Sequence, residues 1–211
     1  MNDKDYDRLL RIKTVGTREW QNQSSHYNRY EATPYLALDE LFDDYELERT
    51  DGVVDFGCGK GRLAFYLHNR FQVSVTGIEM SVQLYQEALE NQASYREKTR
   101  GSNDTVRFEC CLAEDYKVES TDNRFYFFNP FSIQIFRKVI DTILRSVEKQ
   151  KRAVDIVLYY PTADYIQFLE NRTPFELLKE VKVPGLYDRN DNERFLVFRL
   201  GEGEYEQAQS T

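Results

Sequence analysis

Long apolar runs are missing from this chain. Hydrophobic residues make up 41% of it but are interleaved with 30% charged residues. No stretch reaches the roughly 20 consecutive apolar residues a membrane-spanning helix needs. Histidine and cysteine are scarce too, with two and three among 211 residues. Without a CxxC or a Cys/His ligand spacing, no metal site is expected. The neighbours Cys110 and Cys111 would point to opposite faces of a strand and make poor disulfide partners. The three cysteines are therefore expected to be small buried residues in a reducing, cytoplasmic setting. Positive charge is also short: 28 Lys and Arg stand against 36 Asp and Glu, for a net charge of -8. That balance argues against broad electrostatic binding of nucleic acid. The opening MNDKDYD is polar and acidic, unlike a signal peptide. Internal repeats are absent. What remains is a soluble chain long enough for one α/β domain with a sizeable core.

Aromatic residues are plentiful, with 15 Tyr and 14 Phe, and one glycine-rich turn stands out. Residues 53–62 read VVDFGCGKGR, followed by LAFYL. Two β-branched residues running into an aspartate, three alternating glycines and an apolar run predict strand, turn and helix. Such glycines permit backbone angles closed to other residues and let the chain approach a ligand. Doubly wound sheets bind nucleotides at turns of this kind. The spacing is G-x-G-x-G and not the dinucleotide G-x-G-x-x-G. Asp55, at the strand's carboxyl end, would repel a pyrophosphate and suits a ligand that is cationic or rich in donors.

Downstream, residues 72–78 alternate as a strand and end in Glu79. That carboxylate lies about twenty residues past the glycines, where an acidic side chain grips ribose hydroxyls. Met80 follows, and Ser81 is expected to cap a helix whose apolar face is Val82, Tyr85 and Leu89. Val106, Phe108, Cys110 and Leu112 mark a third strand leading into Ala113 and Glu114. Residues 124–128, RFYFF, form a fourth, central strand ending in Asn129-Pro130-Phe131-Ser132. Ile133, Phe136, Ile140, Ile143 and Val147 recur at helical spacing and are expected in the core. A fifth strand, 154–160, and a short helix, 163–169, come next. The apolar runs 175–183 and 195–200 are separated by a short polar turn, so the two strands must be antiparallel.

Ahead of the glycine turn, residues 1–32 form a polar, aromatic arm with one short helix suggested by Leu9, Leu10 and Ile12. It either packs on the domain or covers the pocket as a lid. Thr33-Pro34 predicts a helix start, with Thr33 as the cap and Pro34 first in the helix. Of the two histidines, His26 lies in the arm and His68 is expected on the surface. The arm (1–32), a binding domain (33–200) and a polar tail (201–211) complete the organisation.

The glycine turn, Glu79 and the closing hairpin together resemble the class I S-adenosylmethionine (SAM)-dependent methyltransferases over residues 33–200. The resemblance implies a doubly wound α/β fold. Its seven-stranded sheet is mostly parallel, with an antiparallel last strand inserted between strands five and six, plus an N-terminal helical arm. It implies SAM as cofactor, held by Asp55, Gly57, Cys58, Gly59, Gly61 and Glu79, with Met80 on the adenine. Ala113 and Glu114 are the positions that read the adenine; Leu112 stands where many members carry aspartate. Asn129-Pro130-Phe131-Ser132 is similar to the N-P-P-[FY] tetrapeptide of amino-group methyltransferases, less its second proline. Asn129 is thereby implied to position the acceptor beside the cofactor, with Pro130, Phe131 and Tyr30 on the substrate side. The implied reaction is methyl transfer to a nitrogen or oxygen of an acceptor. A small molecule is expected first, and an amino group of a protein, RNA or DNA second. The other class of reading is a non-catalytic SAM-binding interaction module.

Overall fold

Residues 52–56 are buried along their whole length, as a strand flanked on both sides and covered on both faces must be. In the computed structural model, which describes residues 1–16, 31–99 and 105–201, this strand, β1 (Gly52–Phe56), sits in the middle of a seven-stranded sheet. Helix α1 (Asp3–Leu10) and helix α2 (Tyr35–Asp44) precede it. After it come α3 (Arg62–Phe71), β2 (Ser74–Glu79), α4 (Val82–Thr99) and β3 (Val106–Cys110). Next are β4 (Asp122–Phe128), α5 (Ile133–Lys149), β5 (Val154–Tyr159), α6 (Ala163–Arg172), β6 (Glu176–Lys182) and β7 (Arg194–Leu200).

The strand order is β3-β2-β1-β4-β5-β7-β6. The first five pair in parallel, and β7 runs antiparallel between β5 and β6, as the closing hairpin requires. From β1 the chain winds outward to β2 and β3, then returns to β4 on the other side. Their carboxyl ends open a crevice at that switch point, the place where such sheets bind ligands.

Each face of the sheet carries its own core. One is built from α1 to α4 with Val53, Tyr126, Val157, Tyr159 and Phe195 of the sheet. The other joins α5 and α6 to Phe56, Phe127, Ile156 and Phe198. Helix α5 buries Phe136, Ile140, Ile143 and Val147, the stripe its spacing predicts. Each such side chain contributes about 1.5–3 kcal/mol by leaving water.

Several expectations need correction. Thr33 does not cap α2: Pro34 occupies the cap position, its carbonyl accepting from the Ala37 and Leu38 amides. The helix thus starts one residue later, and the Thr33 hydroxyl pairs with that of Tyr126 at 2.7 Å. Val82 is exposed, while Tyr85 and Leu89 are partly buried against the core; the centre of the buried face is Leu84, Ala88 and Tyr95, rotated from the one expected. His68 is buried, with Nδ1 2.8 Å from the Tyr95 hydroxyl, because α4 covers the outer side of α3. Burial lowers its pKa and keeps the ring neutral. Cys58 is buried, but Cys110 is exposed and Cys111 half-exposed, because β3 is an edge strand.

The N-terminal helix is held by polar contacts. The buried Asp7 carboxylate accepts hydrogen bonds from the Thr14 amide and hydroxyl, the Val15 amide and the Tyr35 hydroxyl. Arg62, the first residue of α3, donates to Asp3 at 2.5 Å, to Thr14 at 2.7 Å and to the Thr33 carbonyl at 3.0 Å. Its guanidinium lies 4.5 Å from the Tyr35 ring centroid. Trp20, His26, Tyr27 and Tyr30 lie outside the described residues.

Candidate functional site

The site is built where β1 and β2 end. Between β1 and α3, Gly57, Gly59 and Gly61 all adopt positive φ, at 79°, 54° and 83°, angles that cost other residues strain. The Gly57 and Cys58 amides both donate to the Ile78 carbonyl, which folds the turn back against β2. A Cβ on Gly57 would stand 2.7 Å from Pro130 Cβ. The glycine turn and the Asn129-Pro130 turn are therefore in direct contact. Gly57→Ala is expected to cost about 2–4 kcal/mol through strain and overpacking; the shift of the urea midpoint measures it.

Glu79 ends β2 and is buried. Its carboxylate accepts from the Gly59 amide at 3.0 Å and the Ser81 amide at 2.7 Å, tying the glycine turn to the start of α4. Ser81 Oγ accepts from the Leu84 amide at 3.3 Å, the capping role expected of it. Burial raises the Glu79 pKa, and its backbone donors pull it back down. The Met80 amide also donates to it, and a carboxylate has about four acceptor positions, so one remains for a ligand's hydroxyl.

Asp55, at the carboxyl end of β1, is 5% exposed. Among the described residues no side chain or amide donates a hydrogen bond to it. Burial first, and then the Glu79 charge, push its pKa up to about 8. A buried, unpartnered carboxylate costs stability. A cation or a donor-rich group delivered to it would offset that cost. A phosphate would not, because two carboxylates already face the turn.

The other expected positions follow the carboxyl ends of β1, β2, β3 and β4. Met80 is 38% exposed, just beyond Glu79. Ala113 and Glu114 form a short 3-10 turn after β3, with Glu114 3.4 Å from Lys138. The Cys58 thiol is buried and pushed well up in pKa, which makes it a packing group and not a nucleophile. Asn129 has φ 40°, a left-handed conformation uncommon outside glycine. Pro130 is half-buried beside Gly57.

Phe131 departs from the expectation. Its ring is 2% exposed, set edge-on to Phe127 at 6.0 Å, and its carbonyl accepts from the Tyr165 hydroxyl. It belongs to the α5–α6 core and offers no open face to a ligand. The aromatic residues on the crevice side are Tyr126 and Phe128. Asp55 pairs in register with Tyr126, and alternation then puts Phe128 on that same face. Only the register of β4 against β1 reveals this.

A central β1 followed by a glycine turn, an acidic end to β2 and an antiparallel β7 between β5 and β6 define the class I methyltransferase fold. A family model described as a methyltransferase domain matches residues 35–158, and the chain belongs to that family. Among solved structures it is similar to an RNA methyltransferase from Salinibacter ruber in complex with S-adenosyl-L-homocysteine. That match has 17% identity and a TM-score of 0.55, covering 80% of this chain and 92% of that one. It is also similar to a geranyl diphosphate C-methyltransferase from Streptomyces coelicolor A3(2), with 13% identity, TM-score 0.53, and coverage of 80% and 77%. The [4+2]-cyclase SpnF matches at 15% identity, TM-score 0.54, covering 78% of each chain. No curated protein matches the sequence. At these identities the structural likeness speaks for the fold alone.

Proposed function

We propose that the chain is a SAM-dependent methyltransferase that binds its cofactor across the carboxyl ends of β1 and β2 and receives its acceptor at Asn129. The observation that carries this is Asp55, a buried carboxylate with no hydrogen-bond donor among the described residues, facing a turn of three left-handed glycines. SAM fits that donor set: it carries an ammonium, a sulfonium and a ribose, and no phosphate. When bound, it supplies a methyl group on a positive sulfur that departs as a neutral thioether.

Asp55 takes the ammonium in this reading, and Glu79 uses its remaining acceptor position for the ribose. Gly57, Cys58, Gly59 and Gly61 let the backbone lie close to the ligand, Met80 covers the adenine, and Ala113 and Glu114 border it. Asn129, held beside Gly57 by Pro130, aligns the acceptor atom. Alignment and exclusion of water are the protein's main contributions; well-oriented reactants gain about 7–11 kcal/mol over free encounter.

The acidic net charge supports a small-molecule acceptor over an amino group of RNA, DNA or protein. Among the described residues no helix is long and apolar enough to cross a membrane, and the thiols are unpaired; both fit a cytoplasmic protein. The cyclase with this fold is a reminder that fold does not dictate chemistry. A SAM-binding module without transfer is the rival reading.

Glu79→Gln tests the cofactor assignment. One oxygen cannot serve both the Gly59 and Ser81 amides as well as a ribose. SAM affinity is expected to fall about 10-fold, with about 1–2 kcal/mol lost from the free protein. Unchanged affinity by calorimetric titration would remove Glu79 from the site. A tritiated-methyl transfer screen over metabolite, protein and RNA pools then separates a transferase from a module: tight SAM binding without transfer to any pool supports the module.

A further inference from the structure

The carboxyl ends of β4 and β5 form a second wall of the crevice that the cofactor assignment leaves unused. Phe128 and Tyr159 end these strands in register. The residue after each, Asn129 and Tyr160, is held in a left-handed backbone, at φ 40° and 51°. Conformations of this kind cost about 1–3 kcal/mol each and persist where the surroundings enforce them. For Tyr160 the enforcement is visible. Its amide donates to the Arg194 carbonyl at 3.1 Å, and its hydroxyl accepts from Asn190 Nδ2 at 2.6 Å.

The result is a cluster of rings. Phe128 lies 4.7 Å from Tyr159 and 6.3 Å from Tyr160, centroid to centroid, and the two tyrosines are 6.5 Å apart. Phe128 and Tyr160 are half-buried, whereas Tyr159 is enclosed.

Two carboxylates among the described residues, Glu193 and Glu31, act on the cluster. Glu193 accepts a hydrogen bond from the Tyr159 hydroxyl. Burial, then Glu193, then Tyr126 and Glu31 raise the pKa of that hydroxyl. Two cations of the β6–β7 hairpin are turned elsewhere: Arg194 reaches Glu180 at 3.1 Å, and Lys182 lies over the Tyr187 ring at 4.7 Å. Ring faces beside carboxylates attract a cation through the ring quadrupole and through plain Coulomb attraction. The same carboxylates repel a phosphate or carboxylate.

We propose that Phe128 and Tyr160, backed by Glu193, bind the acceptor through a cationic nitrogen, an amine or quaternary ammonium group, and that Tyr160 determines this specificity. The proposal rests on reading the neighbouring glycine turn as the cofactor site.

The test uses the full chain saturated with S-adenosylhomocysteine and two probes of one shape: choline and its uncharged isostere 3,3-dimethylbutan-1-ol. Ligand-observed NMR titration should show choline binding about 10-fold more tightly, the scale of a partly desolvated cation–π contact. Tyr160→Ala should abolish the preference, and Tyr160→Phe should keep most of it, because the ring face is what counts. Glu193→Gln, which retains an oxygen for the Tyr159 hydroxyl, should weaken choline and leave the alcohol unchanged. Calorimetric affinity for S-adenosylhomocysteine should stay the same in all three variants. Equal binding of the two probes, failure of choline to bind, or indifference to both Tyr160→Ala and Glu193→Gln overturns the proposal. If S-adenosylhomocysteine itself does not bind, the methyltransferase reading fails and this one falls with it. If it binds without any preference for the cation, only the acceptor proposal is wrong.

Discussion

Asp55→Asn is expected to weaken SAM binding about 100-fold at pH 8.5 while leaving the free protein at least as stable as the parent. The two effects have opposite origins. In the free protein Asp55 is buried with no donor and faces the Glu79 charge, so its ionised form is costly and its pKa stands near 8. Asparagine has the same shape and never ionises. The folded-state pKa lies above the unfolded value of about 3.9. The stabilising contribution of the neutral form is therefore fully present below pH 4 and is lost as pH rises through 8. Above pH 8 the asparagine variant should be the more stable of the two. In the complex the carboxylate meets an ammonium, and a charge-assisted pair out of water is worth about 3 kcal/mol.

Wild-type affinity carries the same signature. Below pH 8 a proton must leave Asp55 before the cofactor's cation can pair with it. SAM affinity should climb with pH, by at most a factor of ten per unit, and level off above about 8. Calorimetry in two buffers of different ionisation enthalpy should record release of close to one proton per SAM near pH 6.5. Affinity independent of pH between 6 and 9 would mean Asp55 does not receive the cation.

The second large effect is expected at Arg62→Ala. This guanidinium is buried at the first turn of α3 and joins Asp3, Thr14 and the Thr33 carbonyl. Truncation removes the donor from the buried Thr14 hydroxyl and Thr33 carbonyl and loosens α1, which stays tied through Asp7 and Tyr6. Breaking a fully buried pair from one side costs about 3–5 kcal/mol; the Asp3 side chain is 37% exposed, so the expected loss is about 2–3 kcal/mol, still a large share of a typical 5–15 kcal/mol stability. Arg62→Lys restores the charge but not the fork of donors, and should recover about half. Because Gly61 is the adjoining residue, loosening Arg62 should also weaken SAM binding, about 10-fold. A loss below 1 kcal/mol by urea titration would show that the N-terminal helix is not anchored through this residue.

Much of the fold is legible from local pattern. The β1 turn, the strand ending in Glu79, the α5 stripe and the closing hairpin each follow from periodicity or from loop length. What escapes is whatever depends on register or on contacts between distant residues. Thr14 and Arg62 are far apart in the chain, and Asp3, Asp7 and Arg62 read as ordinary solvated charges until the fold brings them together. Phe131 and Phe128 exchange roles for a related reason. Alternation says that Phe127 and Phe128 face opposite ways, but only the pairing of Asp55 with Tyr126 says which one looks into the crevice. His68 and Val82 are misplaced because helical spacing defines a stripe without saying which neighbour covers it. Asn129 and Tyr160 escape for another reason: both adopt glycine-like backbone angles without being glycine.

Titration of the full chain with SAM at pH 8.5, alongside Asp55→Asn, tests the central claim most directly. The expected result is one SAM bound per chain, with affinity about 100-fold weaker in the variant. Absence of SAM binding by the wild-type chain, or equal affinity of the two proteins, would contradict it.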